Sequence, residues 1–161
     1  MRIVHWLFLV SVALFISGIG FIVAGARTAQ GAEVVDAPAM TPVATVKQIM
    51  NGIVAPAATT VFDAVGTIVN ADGVLEIAPK NEEEWAAVGN SAAALVESGN
   101  LLMLGDRAVD RGEWVAMSRA LTSAGIEALK AAEGKDKDAL LAAGSVVNTA
   151  CDNCHQKYQR Q

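Results

Sequence analysis

Three residues near the C-terminus carry the clearest chemistry in this 161-residue chain: Cys151, Cys154 and His155, within the run Cys151-Asp152-Asn153-Cys154-His155. On a helix, positions three and four apart share a face, so both thiols and the imidazole project toward one ligand. Two thiols at that spacing reach the two vinyl groups on one edge of a porphyrin, and the imidazole turns beneath the iron. C-x-x-C-H is the pattern of covalent c-type haem attachment. Competing chemistries ask for more than the chain offers. Zinc wants about four ligands, and the other histidine, His5, lies far off near the N-terminus. A thioredoxin-like pair wants a helix that begins after a strand. A structural disulfide is the remaining use of two cysteines in an exported protein. One covalent haem c with its iron is the expected cofactor, and His155 its axial ligand.

The elements that must position this motif are helices. Hydrophobic residues make up 53% of the chain and aromatic ones only 5%, and long Ala-, Val- and Leu-rich stretches favour helix over sheet. Setting aside Arg2 and Arg27, ten basic and seventeen acidic residues remain, a net of −7. That balance argues against nucleic acid, and any steering it does favours a redox partner with a basic face. No pattern of an enzyme is present.

Residues 3–26 are apolar apart from His5 and two serines and follow one positive charge, Arg2, the ordering of an export signal. The stretch is also long enough to span a bilayer as a helix. Residues 1–26 are thus either a signal peptide, with small residues at Ala24-Gly25-Ala26 and Ala29-Gln30-Gly31 for cleavage, or an uncleaved anchor in the inner membrane. Arg2 puts the bulk of the chain on the periplasmic side. Residues 27–40 read as a tether.

Residues 41–161 then form one all-α domain. Thr41-Pro42 opens a first helix whose apolar face runs through Val46, Ile49, Met50, Ile53, Ala57, Val61, Val65 and Ile68. Gly52 and Pro56 kink it. Asn70-Ala71-Asp72-Gly73 makes a turn, and the segment to Lys80 makes a loop over the core. Asn81 with Glu84 caps a second helix carrying Trp85, Val88, Ala92, Leu95 and Leu102. Asp110 with Glu113 repeats that spacing ahead of a third, with Trp114, Met117, Leu121, Ala124 and Ala128. After Gly134-Lys135-Asp136, a fourth helix sets Leu140, Gly144, Val147, Cys151, Cys154 and Tyr158 on its buried stripe. The short connections predict an antiparallel up-down four-helix bundle.

A bundle of this size with its motif, here CDNCHQKY, within the last dozen residues resembles the class II c-type cytochromes, the cytochrome c′ family. The resemblance covers residues 41–161 and implies a haem near one end of the bundle, with His155 proximal and the first helix over the distal face. It implies a homodimer as well. In low-spin members a methionine of the first helix is the sixth ligand and the protein transfers electrons. In five-coordinate members the iron binds nitric oxide or carbon monoxide. Met50, in TVKQIMNGI, matches that methionine, although Val46 stands where the family carries Arg and Lys47 is left to serve near a propionate. Met103 and Met117 fall at the same end of the bundle. Trp114 and Tyr158 are candidates to pack on the porphyrin, Arg107 and Arg111 to meet propionates, and Asn51 and Gly52 to shape the distal pocket. A haem subunit anchored through residues 3–26 to a larger oxidoreductase is a further reading.

Overall fold

The computed structural model describes residues 2–30 and 40–159, divided between two compact units, Met1–Met40 and Thr41–Gln161. In the first unit, α1 is one continuous helix, Arg2–Gln30, with Ile3, Trp6, Phe8 and Phe15 exposed. Residues 27–30, read from sequence as the start of a tether, continue this helix, and the rest of the tether up to residue 39 lies outside the described residues. Among the described residues no helix is long and apolar enough to cross a membrane. The side chains of residues 22–26, on which part of the anchor expectation rests, lie outside that description.

The second unit is mostly helical, with one small sheet. Its first helix begins later than Thr41-Pro42 suggests. Thr45 caps α2 (Val46–Ile49): its hydroxyl accepts from the Gln48 amide at 3.2 Å, and the Gln48 side chain accepts from the Thr45 amide at 2.9 Å. That reciprocal pair satisfies two amides at once, whereas three residues after Thr41 stands Ala44, which has no polar side chain to reach back. The expected kink at Gly52 and Pro56 takes the form of a π-helical stretch, Met50–Val54, where the Ala55 amide donates to the Met50 carbonyl five residues back. Pro56 has no amide to continue the α ladder, and a widened turn absorbs the defect ahead of α3 (Ala55–Asp63).

The first helix stops short of Ile68. Residues Gly66–Asn70 (β1) and Gly73–Ile77 (β2) pair as an antiparallel hairpin, Ile68 opposite Leu75 and Asn70 opposite Gly73. Gly73 takes a φ of +133°, open to glycine, and the Asn70 side chain accepts from the Asp72 amide at 2.9 Å. The β-branched run around that turn outweighs the helical spacing of Val65 and Ile68. Of this segment β2 is exposed along its whole length, and the residue that packs on the core is Ala78 beyond it.

Asn81 caps α4 (Glu82–Leu102) through the Glu84 amide at 2.9 Å, and Asp136 caps α6 (Lys137–Tyr158) through the amides of Asp138 and Ala139. Between them, α5 (Glu113–Glu133) starts at Gly112. Asp110 still serves that helix, accepting from the Gly112 and Trp114 amides, but Glu113 pairs with Lys157 instead of reaching back. Helices α3, α4, α5 and α6 each pack on two of the others, closing a ring. The tightest seam is α4 on α5. A Cβ on Gly99 would come within 2.8 Å of the Ser118 carbonyl, and one on Gly125 within 3.0 Å of the Val96 amide. Ile49, Val61, Leu95, Leu140 and Val147 are sealed inside the ring.

Candidate functional site

At one end of this ring the side chains no longer close the core completely. A cleft of about 30 Å³ is lined by Met50 and Val54 from the π stretch, Leu102 from α4, Met117, Ser118 and Leu121 from α5, and Ala150, Cys151, Cys154 and His155 from α6. Four of the residues singled out by sequence, Met50, Cys151, Cys154 and His155, therefore meet around one space. They arrive there because α2 enters the domain at the end where α6 leaves it.

The fourth-helix stripe differs in depth from the sequence expectation. Leu140, Val147 and Ala150 are buried, whereas Cys151 and Cys154 are half-buried and His155 is exposed. The motif thus sits at the rim of the core. Both cysteines are free thiols. Burial pushes both thiols above the ordinary value, and at Cys151 the neighbouring Asp152 and Cys154 push the same way. A redox-active pair depends on a depressed thiol value that exposes a thiolate nucleophile. These two are neutral at pH 7.

Of the other methionines, Met117 joins the lining and Met103 does not; it forms the C-terminal cap of α4. Tyr158 stands beside the cleft without lining it. Its hydroxyl donates to Asp110, its ring meets Trp114 edge-on with centroids 5.0 Å apart, and the Lys157 ammonium lies 5.5 Å from the ring centroid. The bond to Asp110, with burial, pushes the Tyr158 phenol up to about 12, while Asp110 is held below the usual carboxylate range by Tyr158 first and by the Trp114 amide next. Trp114 is buried, outside the lining, and donates its indole N–H to the Leu102 carbonyl at 2.8 Å.

Lys47, Arg111, Asn51 and Gly52 are exposed and outside the cleft. Arg107 is engaged by backbone, donating from Nε to the Ala44 carbonyl at 2.8 Å and from Nη1 to the Leu101 carbonyl at 3.2 Å. The lining residues that sequence reasoning passed over are Val54, Ser118 and Ala150. Ser118 carried a faint signal, falling four residues after Trp114 and three before Leu121 on the inward face of α5.

Among the described residues no three His, Cys, Asp or Glu side chains converge as a metal-holding group. An iron gripped by a macrocycle needs only two protein atoms, from opposite sides, and makes no such cluster. The donor set fits that demand: two neutral thiols and an imidazole on one wall, two thioethers on the others, and little polar in between. Comparison of the chain with protein-family models, curated proteins and solved structures returns no match.

Proposed function

We propose that residues 41–161 form a class II-like cytochrome, an up-down four-helix bundle that carries one covalent haem c and transfers electrons in the periplasm. The observation that carries this reading is the convergence of Cys151, Cys154 and His155 from α6 and Met50 from the π stretch on one cleft. Cys151 and Cys154 would hold the porphyrin by thioether bonds, with His155 and Met50 as the two axial ligands of the iron. Bound there, the haem supplies one-electron chemistry, and a thioether opposite an imidazole raises its potential.

The chain's own residues do the rest. Val54, Leu102 and Leu121 exclude water from the distal side. The space of about 30 Å³ holds little more than a water or two, so seating a porphyrin there would require lining side chains to move aside. Met50 and Met117 suit that task, being unbranched and adaptable. The net negative charge draws a redox partner with a basic face from a distance. Residues 3–26 act as the export signal or as an anchor in the inner membrane, and the domain forms a homodimer.

A second reading draws on Met117 and the buried Ser118. If Met50 stays off the iron, the apolar distal wall with one hydroxyl suits a small gas such as nitric oxide or carbon monoxide. Ferric and ferrous spectra separate the two. Electron transfer predicts a low-spin haem that ignores carbon monoxide and turns high-spin on Met50→Ala. A high-spin haem that this substitution leaves unchanged would sink the role of Met50.

A further inference from the structure

The ten residues between α4 and α5, 103–112, are bonded to both walls of the cleft. On the Met50 side, Arg107 donates to the Ala44 carbonyl at 2.8 Å, one residue before the Thr45 cap of α2, and to the Leu101 carbonyl at 3.2 Å. Gly105, with a φ of +61°, lets the same connection lie flat against Pro42, whose Cγ would be only 3.0 Å from a Cβ there. On the His155 side, Asp110 accepts the Tyr158 hydroxyl with one carboxylate oxygen and the Gly112 and Trp114 amides with the other. Tyr158 lies one turn beyond His155 on α6. Trp114 closes the link by donating to Leu102, itself a lining residue.

We propose that this connection is a clamp that sets the separation of the two axial ligands, with Arg107 and Asp110 as positioning residues on the Met50 and His155 sides. This proposal rests on the haem reading above. Its logic is an asymmetry in how the two ligands are held. His155 shares a helical turn with two covalent anchors, so loosening α6 does not free it. Met50 has no covalent anchor: it begins a π stretch after a single turn of α2, and only the packing of that stretch on α3 and α4 and the bonds at the start of α2 hold it over the cleft. Slackening either arm of the clamp therefore releases Met50 first, and the haem stays attached.

The test uses the full haem-loaded chain and two readouts: the midpoint potential, and the ferric absorption band specific to thioether-ligated iron. Arg107→Gln and Asp110→Asn each remove a charge-assisted hydrogen bond, so Met50 ligation weakens about tenfold or more, the potential falls, and carbon monoxide gains access. Arg107→Lys keeps one charged donor and recovers part of the band, which a general loss of packing would not allow. Tyr158→Phe gives the milder version of the Asp110 arm should Asp110→Asn fold poorly. Lys135→Gln, which removes an exposed ion pair to Glu82, leaves both readouts unchanged. A haem-loaded Arg107→Gln or Tyr158→Phe protein with the parent's potential and band overturns the clamp and leaves the haem reading standing. A parent chain without covalent haem overturns the haem reading itself, and the clamp with it.

Discussion

The two ends of the helical domain are made from the same helices yet finished differently. At the end where α5 turns into α6, the chain closes tightly: Gly134 and Lys135 make the turn, Asp136 caps α6, and Lys135 and Lys137 pair with Glu82 and Glu76. The first half of α6 inserts Leu140, Ala143 and Val147 into a sealed core. Toward the other end the same helix offers half-buried Cys151 and Cys154, and the opposing helix replaces an α turn by a π turn at Met50. Charge divides the same way. At the closed end Glu76, Glu82, Glu83, Glu84, Glu133, Asp136 and Asp138 outnumber Lys80, Lys130, Lys135 and Lys137, whereas around the cleft Lys47, Arg107, Arg111 and Lys157 offset Asp106, Asp110, Glu113 and Asp152. One end is sealed around apolar side chains, and the other gathers two thiols, an imidazole and two thioethers around a shared space.

If that division holds, substitutions at the two ends fail in different ways. The largest effect falls on the cleft: replacing both Cys151 and Cys154 by Ser abolishes covalent haem loading, read as loss of the added mass after denaturation. Next comes Leu140→Ala at the closed end. It empties a fully buried site and costs about 2–5 kcal/mol in denaturant unfolding, while haem attachment persists under conditions where the variant is folded. Gly99→Ala drives a methyl into the Ser118 carbonyl and the Thr122 hydroxyl. Its expected cost is about 1–3 kcal/mol, with α4 and α5 forced apart.

A smaller effect is a pH dependence at the cleft end. Tyr158 titrates well above its ordinary value near 10, at about 12, because Asp110 and burial favour the neutral phenol. A raised value means that this contribution to stability is complete below pH 10 and lost as pH rises through about 12. Asp110 works in the opposite sense: its lowered value gives a contribution present above the ordinary carboxylate range and lost as pH falls through the depressed one. Tyr158→Phe should erase the alkaline limb in circular dichroism, and an unchanged limb would place that titration elsewhere. Smallest of all, Lys135→Gln at the closed end should leave the melting temperature unchanged within error, since the pair it breaks is solvent-exposed.

Sequence spoke clearly wherever local chemistry decides the structure. Asn81 and Gly134 announced helix ends because their side chain or lack of one acts on the nearest amides and carbonyls. The C-x-x-C-H spacing likewise fixes which side chains share a face. It spoke less well where two local preferences compete. Val65 and Ile68 fit a helical stripe, but the β-branched residues flanking Asn70-Ala71-Asp72-Gly73 pair more favourably with each other than with the helix. Thr41-Pro42 reads as a helix start, yet the reciprocal reach of Thr45 and Gln48 sets the cap four residues later. Long-range partners were hardest to see. Tyr158 suggested a ring against a porphyrin, yet it meets Asp110, 48 residues away, and Arg107 suggested a propionate partner, yet it holds the Ala44 carbonyl. Neither pairing leaves a periodic trace.

Covalent haem attachment is read from the intact mass of the chain after export in a host that attaches c-type haem, measured under denaturing conditions. The expected product is a polypeptide heavier by one haem, with both Cys151 and Cys154 blocked to alkylation. A bare polypeptide whose two thiols remain free, or are joined to each other, would contradict that attachment.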